Sequence, residues 1–155
     1  CNHSQLSRDI LLAALLIDEE NNHEYFAHKY SISNETKENL NLLAKDFKLV
    51  KENKNFFDKD LEKNIYLADK NHLIKLNILN FVSNSKYKLK DFSDTLKRIL
   101  QSKTYIFPFD GSYLIQNGMK EGSALGKVLK IIEKEWILNG FKISKERIKE
   151  IIKSN

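Results

Sequence analysis

Leu114-Ile-Gln-Asn-Gly-Met-Lys-Glu-Gly-Ser-Ala-Leu-Gly-Lys-Val-Leu129 sets Gly118, Gly122 and Gly126 four residues apart inside sequence that otherwise has helical apolar spacing. Glycine in a helix interior costs roughly 1 kcal/mol relative to alanine, so the cluster needs a physical reason. Two are available: a turn that requires positive φ, or a close approach by another backbone or a phosphate. The spacing predicts a short helix ending at Asn117-Gly118, with Gly118 as a left-handed C-cap. A three-residue turn follows, and a second helix opens at Gly122-Ser123 and runs to Leu138. All five glycines, the single proline (Pro108) and the single tryptophan (Trp136) fall between residues 108 and 140.

Outward from this stretch, the apolar period is helical nearly throughout, with no sustained alternation of β-branched residues. Gln5 to Ile17 reads as a buried apolar helix, Asp18 to Asn22 as a polar break, and His23 to Tyr30 as a short helix. Ser33 is expected to cap the amide of Thr36, opening a helix to about Lys51 with Leu40, Leu43, Phe47 and Val50 on one stripe. Asp58 or Asp60 is expected to cap the next helix, which carries Leu61, Ile65 and Ala68 inward. A turn at Lys70-Asn-His72 then precedes an apolar helix, Leu73 to Val82. Ser83 to Lys90 reads as a basic loop, and Phe92 to Leu100 as a helix capped by Asp91 or Ser93. Phe107-Pro-Phe109 must be extended, and Asp110 or Ser112 caps the short helix before Gly118. Asn139-Gly140 stops the long helix, and Ser144 opens the last. The expected fold is all-α, about eight to nine helices in a helical body followed by a Gly-rich helix-turn-helix tail, with the body at 1–101 and the tail at 102–155.

With 155 residues, 41% hydrophobic and 30% charged, the chain is large enough to bury a core and falls among soluble globular proteins. Its longest apolar run, Ile10 to Ile17, is far short of a membrane span, so no membrane partner is expected. No signal peptide is visible. One cysteine, Cys1, fits a reducing compartment, and the expected location is the cytoplasm. Residues 1–77 carry 11 basic and 13 acidic side chains, a net of −2, whereas residues 78–155 carry 15 and 8, a net of +7. A polyanion would be drawn to the second half.

The candidate site is the hairpin itself. Helix-start amides at the positive end of the dipole attract anions. Lys120 lies in the turn, and Ser123, Lys127, Lys130 and Lys134 share one side of the second helix, opposite Leu125, Val128, Leu129, Ile132 and Trp136. Gly118, Lys120, Gly122, Ser123, Lys127, Lys130 and Lys134 are therefore the candidate phosphate-binding residues. The competing reading is that Gly126 only permits close helix packing and the lysines form a solvated face. The pattern also resembles an independent helix-hairpin-helix nucleic-acid-binding module, and a purely structural helical assembly domain is a third possibility.

Phe107-Pro-Phe-Asp-Gly111, the Gly-x3-Gly-x3-Gly step and Glu135-Trp-Ile-x-x-Gly-Phe141 together resemble the C-terminal region of bacterial CCA-adding tRNA nucleotidyltransferases and related poly(A) polymerases. Upstream, Arg8-Asp-Ile-Leu-Leu-Ala-Ala-Leu-Leu16 and Ile32-Ser-Asn-Glu35 resemble further segments of that family in the same order. Ser112 and Tyr113 stand where the family usually has an Asp-Leu step. The resemblance implies an all-α fragment, the end of the neck plus the body and tail, that grips tRNA for 3′-end processing. It also implies a catalytic head in cis, N-terminal to Cys1, that uses Mg2+ with CTP and ATP. The chain is accordingly expected to be the C-terminal piece of something longer, or a processed product.

No catalytic motif or cofactor site is expected in the fragment itself. Gly111-Ser112 and Gly122-Ser123 lack a following Asp-x-Asp, and Asp58-Lys59-Asp60, the one Asp-x-Asp, lacks a preceding Gly-Ser. His3, His23, His28 and His72 have no metal-ligand spacing, and His72 reads as a turn residue. Tyr87, between Lys86 and Lys88, reads as a loop residue, with base stacking as the alternative. Nothing in the sequence sets the oligomeric state.

Overall fold

The computed structural model describes residues 3–17, 21–122 and 124–154. Among them are nine α-helices and no strand: α1 (His3–Leu16), α2 (Asn22–Lys29), α3 (Asn34–Glu52), α4 (Leu61–Ala68), α5 (Lys70–Ser83), α6 (Leu89–Gln101), α7 (Gly111–Gln116), α8 (Ala124–Leu138) and α9 (Lys145–Lys153). The protein is all-α, as the periodicity predicts. It divides into two compact units, residues 1–103 and 104–155, each with its own apolar core.

The first unit is organised around α5, which packs against α1, α3, α4 and α6. Leu73, Leu76 and Leu79 of α5 meet Leu40, Leu43 and Phe47 of α3, Leu61 and Ile65 of α4, and Ile99 of α6. Full burial of such a side chain is worth about 1.5–3 kcal/mol, so this stripe-to-stripe packing, rather than local propensity, holds the helices. Ser33 caps α3 as expected, its Oγ accepting from the Thr36 amide at 3.2 Å. Along the apolar half of α1, Ala13 is fully buried, whereas Leu11 and Leu15 are exposed. The expected buried helix is thus buried along one stripe, the one that faces α3 and α5.

Two element starts differ from expectation. There is no turn at Lys70–His72, because α4 and α5 are joined by the single residue Asp69, at φ 74° and ψ 164°. The Asp69 carboxylate caps α5 by accepting from the His72 amide at 2.9 Å, which reverses the chain without a loop. His72 is therefore a first-turn helical residue, buried, with Nε2 2.8 Å from Asp46 Oδ2 on α3. Likewise α6 begins at Leu89 rather than Phe92, because Asp91 sits in its first turn and reaches back to accept from the Lys88 amide at 3.1 Å. No described helix is long and apolar enough to cross a membrane.

In the second unit Leu114, Val128, Ile132, Ile148 and Ile151 form the core where α8 packs on α7 and α9. Ser144 caps α9 through the Arg147 amide at 3.1 Å. The Arg147 guanidinium then bonds Glu135 of α8 at 2.8 Å and Glu150 at 3.0 Å, which raises its pKa further. At the same helix start, the backbone amide of Glu146 and the Ser144 hydroxyl hold the Glu146 carboxyl below its usual range.

Candidate nucleic-acid interface

The hairpin is built from its flanks inward. Residues 103–110 are non-helical, and Asp110 ends the extended segment by capping α7, accepting from the Tyr113 amide at 2.8 Å. Of the two capping residues the sequence allows, Asp110 is the one used. At the other end of α7, Gly118 N–H donates to Ile115 O at 3.0 Å and Met119 N–H to Leu114 O at 3.1 Å. This pair of reversed bonds is a Schellman motif, and it needs a left-handed residue at Gly118, found at φ 98°. Met119 packs onto the core cluster containing Leu114, the apolar contact that accompanies such a stop.

The chain then passes Lys120 and reaches Gly122, also at positive φ (150°), before α8. Positive φ thus accounts for two of the three clustered glycines. Gly126 is different: it lies inside α8, is exposed, and a Cβ built on it would meet nothing within 4 Å. Close helix packing, one reading of this glycine from the sequence, is therefore not its role.

Helix α8 separates its faces as the spacing predicts. Val128, Ile132 and Trp136 are buried and Leu125 and Leu129 half-buried, whereas Lys127, Lys130 and Lys134 are exposed. Gly118, Lys120 and Gly122 are exposed as well. None of the four lysines pairs with a carboxylate among the described residues. Ser123 lies outside the described residues. The arrangement sets four cations, with the Glu121 carboxylate in the same turn, beside open backbone, and no metal-binding cluster occurs among the described residues.

The remaining polar candidates have other partners. Asp58 Oδ1 accepts from Arg98 Nη1 at 3.1 Å, and Asp60 Oδ2 from Asn53 Nδ2 at 2.9 Å. Asp60 begins α4 as its N-cap residue, one of the two starts the sequence allows, but its side chain makes no capping bond because it is turned to Asn53. Tyr87 lies in the α5–α6 loop, as the sequence predicts, with its hydroxyl turned toward protein partners. Its phenol oxygen lies 2.8 Å from Asn77 Oδ1 and 2.7 Å from Thr95 Oγ1, and burial pushes its pKa up. Sequence reasoning missed this anchor because Asn77 is ten residues away and reads as one more polar position. His23 is buried, its Nδ1 without a hydrogen-bond partner among the described residues, while His28 is exposed.

Compared with protein-family models, curated proteins and solved structures, the chain gives no match.

Proposed function

We propose that this chain is the tRNA-binding C-terminal portion of a CCA-adding tRNA nucleotidyltransferase, gripping the RNA backbone and positioning the 3′ end for a catalytic head in cis. The observation that carries the reading is the hairpin: four exposed lysines without ion-pair partners among the described residues, Lys120 in the turn between Gly118 and Gly122 and Lys127, Lys130 and Lys134 along α8. Lysines neutralise phosphates as point charges without demanding a fixed two-pronged geometry. Recognition of this kind is sensitive to salt and largely indifferent to sequence. The chemistry, with Mg2+, CTP and ATP, belongs to the head.

The test is a filter-binding titration of tRNA and of duplex DNA across salt. Preferential tRNA binding with a steep salt slope supports the reading, and equal or DNA-favoured binding supports a general helix-hairpin-helix module instead. Lys120→Glu with Lys127→Glu is expected to weaken tRNA binding at least tenfold with helical content intact. Affinity that survives this double reversal would remove the hairpin from the site.

A further inference from the structure

The longest stretch without an acidic side chain is residues 70–90, which holds Lys70, Lys75, Lys86, Lys88 and Lys90. The last three alternate along the α5–α6 connection and the first turn of α6, and all three are exposed. A lysine-rich loop ordinarily loses conformational freedom when it binds, which weakens the contact. This one is already ordered. Lys86 N–H donates to Asn84 Oδ1 at 3.1 Å, and Tyr87 N–H to Asn84 O at 2.9 Å. Lys88 N–H donates to Asp91 Oδ2 at 3.1 Å, so one oxygen of the flanking carboxylate is directed at backbone, although its charge remains beside the loop. Between the lysines the Tyr87 ring turns inward, its hydroxyl bonded to Asn77, which is fully buried, and to Thr95. Lys86 and Lys90 form no ion pair among the described residues.

We infer that Lys86, Lys88 and Lys90 form a second phosphate-contacting site, in the first unit, presented in a fixed arrangement by the Tyr87 anchor. The occupant is the phosphodiester backbone of the same RNA, and the inference rests on the tRNA reading above. Charge complementarity supports it, since the segment carries five cations and no anion.

The experiment titrates tRNA against the full chain from about 50 to 200 mM salt, the range over which phosphate contacts are read out. It compares the parent, Lys86→Gln with Lys90→Gln, and Lys120→Gln with Lys127→Gln. Removing a cation from the first turn of α6 does not weaken the fold, because the helix dipole disfavours positive charge there. Losing two phosphate contacts is expected to lower affinity several-fold and to make the slope of log K against log salt shallower by about 1.4 to 1.8. A loop variant identical to the parent, with the hairpin variant weakened, overturns this inference and leaves the tRNA reading standing. A parent without salt-dependent tRNA binding overturns both. Protection of Lys86 and Lys90 from acylation by bound tRNA is the second measurement, and its absence also overturns the inference.

Discussion

Phe141 N–H donates to the carbonyl of Trp136 at 2.8 Å, and the two rings meet edge to face with centroids 4.9 Å apart. With Gly140 N–H donating to Ile137 O at 3.2 Å, this is a second Schellman stop, closing α8 as the first closes α7. Trp136-x-x-x-Gly140-Phe141 therefore has a physical meaning independent of any resemblance. It is a helix end whose apolar contact is aromatic, extended by Tyr105 stacked on Phe141 at 3.8 Å and Phe107 edge-on to Trp136 at 5.4 Å.

Gly140 stands at φ 65°, a conformation that costs an ordinary residue about 1–2 kcal/mol. Gly140→Ala is expected to destabilise the second unit by about that amount. Trp136 is the only tryptophan and is buried in this unit, so its fluorescence during a thermal melt isolates the effect. An unchanged midpoint would mean that the left-handed stop contributes little.

Gly126 makes the opposite case. Its Cβ position is open and its backbone helical, so Gly126→Ala is expected to stabilise α8 by about 1 kcal/mol. If the proposed RNA backbone approaches α8 at Gly126, the same methyl group would obstruct it, and tRNA affinity is then expected to fall several-fold. Chemical denaturation and filter binding on one variant read both quantities. A gain in stability with unaltered affinity would exclude Gly126 from the contact.

Tyr87→Phe removes the hydroxyl bonded to Asn77 Oδ1, at a site where Asn77 is wholly buried. The expected loss is about 1–3 kcal/mol in a denaturant melt at neutral pH. The pH dependence has a definite sign. Because burial raises the Tyr87 pKa, the neutral phenol's contribution is fully present below the unfolded value near 10. It is lost as the pH rises through the higher folded value. The stability difference between parent and variant should therefore shrink above about pH 10, the ordinary tyrosine range. A difference that stays constant into that range would show that the hydroxyl is not bonded in its neutral form.

What was legible in the sequence follows the reach of the interactions. The caps at Ser33, Asp110 and Ser144 each join residues three apart, so a pattern of polar and apolar letters suffices to find them. The stripe Leu40, Leu43, Phe47 and the two faces of α8 are legible for the same reason. The partners of His72, Asp58, Asp60 and Tyr87 were not legible, because they stand between seven and forty residues away, which local spacing does not encode. For the candidate site, the positive φ at Gly118 and the lysine face of α8 were foreseen, whereas the positive φ at Gly122 was not assigned from the sequence. The absence of any packing partner at Gly126 was not foreseen either, since an open and a crowded glycine read alike.

The single-residue junction at Asp69 carries a consequence for the whole first unit. A helix turns about 100° per residue, and α5 starts directly from the Asp69 carboxylate with no slack before it. One residue inserted or deleted there would swing Asn77 away from Tyr87 and His72 away from Asp46 together. The angular phase of α5, set at that junction, thus decides whether the lysines around Tyr87 face outward as a group.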